Sequence, residues 1–169
     1  MDWLEEVIQY LTDQKLQVTT AESCTAGLVV SELASVPGSG QSIDCGLAVY
    51  SPEAKNRYLN VPYEAMSRDG LTSEATSKAM ALGALNNSAA NLALANTGIA
   101  GPKPGDDGTP VGTVCLAWAF RHEGRVYVVS ETQRLSGERN EVRLSAAHES
   151  LSRIPDLHRQ VCDGDIAPL

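Results

Sequence analysis

The chain has 169 residues, enough for one domain of ordinary size with its own core. Hydrophobic residues make up 43% and charged residues 20%, the balance of a folded globular domain and not of a disordered chain. A formal net charge of −8 repels a phosphate backbone, which excludes a general nucleic-acid coat but leaves room for one local cationic pocket.

The first segment, MDWLEEVIQY, is acidic, unlike a secretory signal, and no apolar run approaches the ~20 residues of a membrane-spanning helix. A cytoplasmic protein with no membrane partner is expected. Asp2 and Glu5 form a capping box, and Trp3, Leu4, Val7, Ile8 and Leu11 share one face of a helix reaching about Gln14. Leu16 to Thr20, β-branched and alternating, predicts a strand. A loop over Ala21 to Cys24 and a helix from about Thr25 to Ala34 follow, closed by Pro37-Gly38-Ser39-Gly40.

Ile43 to Ser51 predicts the second strand, and Pro52 opens the helix PEAKNRYL. A short helical turn follows Pro62. Thr72 or Ser73 caps a longer helix to about Leu85, with Ala79, Met80 and Leu82 as buried candidates. Leu92 to Thr97 is a compact apolar strand, and the Gly/Pro-rich run from Gly98 to Gly112 is too long for a tight turn, hence a candidate functional loop. GTVCLAWAF and RVYVVSETQR flank His122-Glu123-Gly124 as an antiparallel hairpin. The last helix runs from near Gly137, with Val142, Leu144, Ala146, Ala147 and Leu151 on it, to Pro155, and residues 156–169 read as a polar tail.

This order predicts an α/β fold: a three-layer α/β/α sandwich on a mixed, mostly parallel sheet of about five strands, in a single domain. Cys24, Cys45, Cys115 and Cys162 are far apart with no C-x-x-C, so reduced thiols are expected. His122, His148 and His158 fit no ligand spacing, so neither a metal nor a cofactor is expected.

In such a sheet, ligands bind beyond the carboxyl ends of the parallel strands. Three segments meet there. In Ala21-Glu22-Ser23-Cys24-Thr25, the Ser23 and Thr25 hydroxyls either cap the next helix or join its free N–H groups in holding an anion. Tyr50 ends a strand, and Lys55 lies in the first turns of the next helix; Lys55 is either a solvated surface lysine or, with its pKa lowered by burial and the helix field, a base. Thr97-Gly98-Ile99-Ala100-Gly101-Pro102 exposes backbone N–H groups to a ligand but is neither a Walker loop nor G-x-G-x-x-G. Arg139 and Arg143, one turn apart, either grip a phosphate or pair with Glu138 and Glu141.

Taken together, TAESCTAG (Thr20 to Gly27), the G-x-x-x-Y-S-x-x-A-K run (Gly46 to Lys55), TGIAGP (Thr97 to Pro102), PVGTV (Pro110 to Val114) and SGERNEVR (Ser136 to Arg143) resemble the CinA C-terminal domain family. That family includes stand-alone nicotinamide-nucleotide amidohydrolases. The resemblance runs in the family's order over most of the chain. It implies an anticodon-binding-domain-like α/β/α fold and hydrolysis of the carboxamide of nicotinamide mononucleotide to nicotinate mononucleotide and ammonia, without metal or cofactor. It further implies serine attack on the amide carbon, with Lys55 and Tyr50 assisting proton transfer. Backbone near Ser23, Cys24 and Thr25 and the Gly98, Ala100 and Gly101 loop would hold oxyanion and substrate, with Thr97 and Arg139 contacting it; Arg143 is a candidate beside them by its spacing from Arg139. The implied partners are a small-molecule nucleotide and further copies of the chain.

Four positions depart from the family pattern. Where relatives read G-S-S, with the second serine associated with the nucleophile, this chain reads Gly38-Ser39-Gly40. Cys45 replaces a common arginine, Ala26 a glycine and Thr109 a frequent lysine. Ser39, Ser42 or Ser23 stand as replacement nucleophiles. Two readings follow: an active amidohydrolase, or a catalytically impaired paralogue that binds a nucleotide-like ligand without turnover.

Overall fold

The computed structural model describes residues 1–169. Helix α1 (Trp3–Asp13) buries Leu4, Val7, Ile8 and Leu11, while Trp3 remains partly exposed. The Glu5 carboxylate accepts the Asp2 backbone N–H at 3.0 Å. Strand β1 (Val18–Glu22) starts two residues later than the alternation predicts. The reason is local: the Leu16 N–H still bonds the Leu11 carbonyl of α1, and the Gln17 N–H bonds Asn91 Oδ1. After β1 come α2 (Leu28–Ala34), a 3-10 turn over Ser39–Ser42, and β2 (Ile43–Ala48). Three helices precede the central strand: α3 (Pro52–Leu59), α4 (Tyr63–Asp69) and α5 (Glu74–Asn86). The Ser51 and Ser73 side chains cap α3 and α5.

Strand β3 (Leu92–Gly98) leads through the long loop to the hairpin β4 (Thr113–His122) and β5 (Arg125–Arg134). Its turn is only Glu123-Gly124, both at positive φ, the backbone that matches strand twist in a two-residue hairpin. Helix α6 (Arg139–Ser152) follows. The expected polar tail is instead largely helical: α7 (Ile154–Cys162) buries Ile154, Leu157, His158 and Val161. Pro155 sits in its first turn, where a missing N–H costs nothing, so the residue that ends one helix starts the next.

The sheet order is β2-β1-β3-β4-β5, parallel between β2, β1 and β3 and antiparallel across β3-β4 and β4-β5, so only β4 runs against the rest. The two faces differ in size. Leu92, Leu94, Leu116, Trp118 and Phe120 face the core shared with α1, α2, α6 and α7, and Trp118 Nε1 donates to the Ser150 carbonyl at 2.8 Å. The alternate positions Ala93, Ala95, Ala117 and Ala119 form an almost flat face on which α5 packs through Met80, Ala81, Ala84 and Leu85. At Gly46 on β2 a Cβ would meet Val30 Cγ1 of α2 at 2.6 Å, so glycine there permits the close helix–strand approach.

Chain direction turns between β1 and β3: β1 connects outward to β2 on one side, and β3 outward to β4 on the other. A crevice therefore opens beyond the ends of β1 and β3, between the turn at residues 23–27 and the loop at residues 99–112.

Candidate active site

The turn after β1 is held from both sides by buried polar side chains. Glu22, the last residue of β1, is fully buried, and its carboxylate accepts five hydrogen bonds. Thr20 Oγ1 and Thr25 Oγ1 donate at 2.9 and 2.6 Å, and the N–H groups of Gly27, Val29 and Val30 at 3.1, 2.9 and 3.1 Å. The carboxylate thus satisfies free donors at the start of α2, where negative charge is favoured. Beside it in the register on β3, Asn96 Oδ1 takes the N–H groups of Ser23 and Thr25, and Asn96 Nδ2 donates to Thr25 Oγ1 at 2.8 Å. The capping expected of Ser23 and Thr25 is therefore done by Glu22.

With capping assigned elsewhere, the Ser23 hydroxyl meets Lys55. Pro52 and the Ser51 cap fix the start of α3, and Lys55, one turn in, points inward and is only 2% exposed. Its Nζ lies 3.0 Å from Ser23 Oγ and 2.9 Å from each of the Val49 and Tyr50 carbonyl oxygens. Burial lowers the Lys55 pKa to about 8. The two carbonyls accept N–H bonds only, so in the neutral amine they hold both hydrogens and leave the lone pair directed at Ser23 Oγ. That is the geometry of a serine activated by a lysine base. The surface-lysine alternative does not hold in this structure.

Tyr50 is exposed, and its Oη accepts from Arg139 Nη2 at 3.2 Å; Arg139 Nη1 also donates to the Gly101 carbonyl at 2.6 Å. Together with Cys24, Gly98, Ala100 and Lys103 these residues line a cavity of about 170 Å³. Two cations, Arg139 and Lys103, border it; Lys103 had no sequence signal beyond its place in the loop. The Ala100 and Gly101 N–H groups donate to nothing within the chain. Gly101, at φ +95°, adopts a backbone that side chains disfavour, with Val111 closing the far side. Beyond Ile99 and Pro104 a second hollow of about 420 Å³ adjoins, walled by Met66, Leu71, Thr72 and the acidic Asp106 and Asp107.

Several expected site residues take other places. Arg143 Nε and Nη2 donate to the Cys24 and Thr25 carbonyls at 2.9 and 3.1 Å, so this guanidinium braces the turn and is not free to grip a phosphate. The Thr97 hydroxyl is buried and donates to the Leu71 carbonyl at 2.9 Å, joining β3 to the segment before α5. The Cys24 thiol lines the cavity, but burial pushes its pKa up to about 12, so it stays protonated. Ser39 and Ser42 do not approach Lys55. They precede Ile43, which pairs with the start of β1, whereas Lys55 follows Ala48, which pairs with its end. The length of β2, roughly 20 Å at ~3.3 Å per residue, separates them.

The CinA C-terminal domain model matches residues 2–157. A CinA-like protein of Chlorobium chlorochromatii is 43% identical over 145 residues, covering 85% of this chain and 34% of that protein. A CinA-like protein of Akkermansia muciniphila is 47% identical over 115 residues, 68% of this chain and 28% of that one. The chain thus spans about a third of the length of these curated relatives. Among solved structures, the competence damage-inducible protein A from Klebsiella pneumoniae superposes with a TM-score of 0.85 at 33% identity, covering 91% of this chain and 93% of that one. A competence/damage inducible protein from Agrobacterium tumefaciens gives 0.83 at 37% identity, covering 92% and 93%. No helix is long and apolar enough to cross a membrane.

Proposed function

Because this chain belongs to the CinA C-terminal domain family, we propose that it is an amidohydrolase that converts nicotinamide mononucleotide to nicotinate mononucleotide and ammonia, with Ser23 as nucleophile and Lys55 as base. The observation that carries this reading is the buried Lys55 Nζ, 3.0 Å from Ser23 Oγ and oriented by two backbone carbonyls.

In the proposed cycle, neutral Lys55 removes the Ser23 hydroxyl proton as Oγ bonds to the carboxamide carbon. The lysine ammonium then returns that proton to the departing nitrogen, the C–N bond breaks, and ammonia leaves a nicotinoyl ester on Ser23. Water, deprotonated by Lys55, adds to the ester; Lys55 returns that proton to Ser23 Oγ as the Oγ–carbon bond breaks, and the freed acid ionises to the carboxylate. The unpartnered N–H groups of Ala100 and Gly101 are the candidate donors to the developing oxyanion. Arg139 and Lys103 supply positive charge for the substrate phosphate. At about 170 Å³ the inner cavity falls below the ~300 Å³ at which ligand sites usually begin, so the adjoining hollow takes part of the nucleotide in this reading.

A binding-only paralogue is the second reading, favoured by Gly40 at the family's serine position and by the distance of Ser39 from Lys55. The same reading carries a cytoplasmic compartment, which four unpaired thiols support, and association with further copies of the chain.

Ammonia release from nicotinamide mononucleotide, with the product identified by NMR and Ser23→Ala and Lys55→Ala run alongside, tests the proposal. Turnover lost in both variants supports the Ser23–Lys55 enzyme. Binding without turnover in the parent chain supports the binding-only paralogue.

A further inference from the structure

At the opposite end of the sheet, His122, His158 and Cys162 bring one ligand atom each to within 4.8 Å of one another. His122 ends β4 just past Phe120, which pairs with the first residue of β3, so the cluster lies beyond the amino ends of the parallel strands. His158 and Cys162 are one turn apart on α7 and present the same face to it. We propose that these three residues form a binding site for a borderline-soft divalent metal ion of the zinc class, a site separate from the Ser23–Lys55 centre and independent of the activity assigned there.

Geometry is the first support. Metal–ligand bonds of about 2.0–2.3 Å in a tetrahedron put ligand atoms about 3.3–3.8 Å apart. Cys162 Sγ and His158 Nε2 already stand at 3.6 Å. Only His122 has to close in, by about 1 Å on that scale, and its imidazole sits at the end of a strand beside a two-residue turn with part of its surface exposed.

The proton arrangement is the second. Tyr10 Oη lies 2.9 Å from His158 Nδ1 and 3.4 Å from the Pro155 carbonyl. The pair admits either tautomer; with the hydroxyl hydrogen on the Pro155 carbonyl, Oη accepts the Nδ1–H, and this is the arrangement a metal would select. This tautomer leaves the Nε2 lone pair facing Cys162 Sγ, as a metal ligand requires, and makes Tyr10 the outer partner that orients the imidazole. Metal binding would release the Cys162 thiol proton and put the ion between Sγ and Nε2. Glu123 Oε1 lies 3.9 Å from His122 Nε2 but outside the three-residue cluster, so a water would complete the tetrahedron. No ligand spacing marks the site along the chain, because His122 and His158 lie 36 positions apart; hairpin and terminal helix meet only in the fold.

The test is titration of the full chain, stripped with a chelator, with Co²⁺ and then Zn²⁺. The expected result is one equivalent of Co²⁺ with tetrahedral d–d bands and thiolate charge-transfer absorption, displaced by Zn²⁺. Cys162 is exposed, so Cys162→Ser leaves the core intact and should abolish the charge-transfer band. His122→Asn should weaken Zn²⁺ binding, and Tyr10→Phe should weaken it about 10-fold or more. His158 packs on Phe120 and Tyr10, so it is not the residue to replace first. No saturable uptake, or uptake unchanged in both Cys162→Ser and His122→Asn, overturns the site.

Discussion

Lys55 Nζ donates to Ser23 Oγ across 3.0 Å from inside the fold, with its remaining hydrogens committed to the carbonyls of Val49 and Tyr50. A lysine in this setting is not an anchor for solvent or for a surface carboxylate. In the proposed cycle it acts as a base whose direction of action is set by backbone. Replacing it with alanine should lower kcat by about 10²–10⁴-fold, the usual worth of a positioned general base, while the Kd for nicotinamide mononucleotide stays close to that of the parent chain. Single-turnover kinetics beside equilibrium binding separates the two effects. A variant that binds normally and turns over at the parent rate removes Lys55 from the mechanism.

The same burial makes a pH prediction. With the Lys55 pKa lowered to about 8, roughly a tenth of the lysine is neutral at pH 7 and about half at pH 8. kcat/KM should therefore rise with pH and level off above pH 8. Stability follows the opposite protonation logic to an ion pair. Lys55 is about 8 when folded and 10.5 unfolded, so between those values the unfolded chain binds the extra proton and the folded state gains stability as pH rises. Below pH 8 that gain is absent. A Lys55→Met variant should thus compare best with the parent chain near pH 7 and lose ground toward pH 10, which thermal melts at several pH values measure.

Glu22 should behave as a positioning residue. Its carboxylate gathers five donors around the turn that carries Ser23. Glu22→Ala strands buried N–H groups, at a cost of about 3 kcal/mol or more, which for a chain of this length is a Tm fall of about 6–12 °C. Glu22→Gln keeps one acceptor oxygen but sets an amide N–H₂ against backbone donors, so its Tm should fall by less and its kcat should drop while the Kd for substrate changes little. A Glu22→Gln variant with parent kcat would make Glu22 a stability residue alone.

Much of this site was legible in the chain, for reasons that can be named. Tyr50-Ser51-Pro52 marks the passage from strand to capped helix, which puts Lys55 at the rim of the sheet, although β2 ends at Ala48 and not at the expected Ser51. The glycine and proline spacing of residues 98–112 marks a loop that cannot be a turn. Contacts that join distant segments were not legible. Helical spacing pairs Arg143 with its neighbours on α6, but its guanidinium reaches the Cys24 and Thr25 carbonyls, 119 and 118 residues away in sequence. Ser39 is a serine in the family's nucleophile segment, yet the length of β2 holds that segment at the opposite end of the strands from Lys55. Glu22 reads as loop because the predicted strand stops at Thr20, two residues short, and with them goes the carboxylate that frees Ser23 from capping. Residues 156–162 read as tail because Pro155 signals an end and a start equally well.

The two arginines of α6 give the sharpest separation of binding from architecture. They look alike in sequence, one turn apart and flanked by glutamates, but their partners differ. Arg139 borders the cavity, bonded to Gly101 and Tyr50, with its surface open to solvent. Losing a charge-assisted bond of about 1.5–3 kcal/mol should weaken binding of the mononucleotide roughly 10- to 100-fold in Arg139→Ala with little change in Tm. Arg143 instead ties α6 to the turn through two carbonyls. Arg143→Ala should lower Tm and reduce kcat by loosening Ser23, while removal of the substrate phosphate changes its deficit little. Comparing nicotinamide mononucleotide with its nucleoside in both variants reads this directly. The phosphate's contribution to binding should vanish in Arg139→Ala and persist in Arg143→Ala. The reverse pattern would return Arg143 to the phosphate and leave Arg139 as the brace.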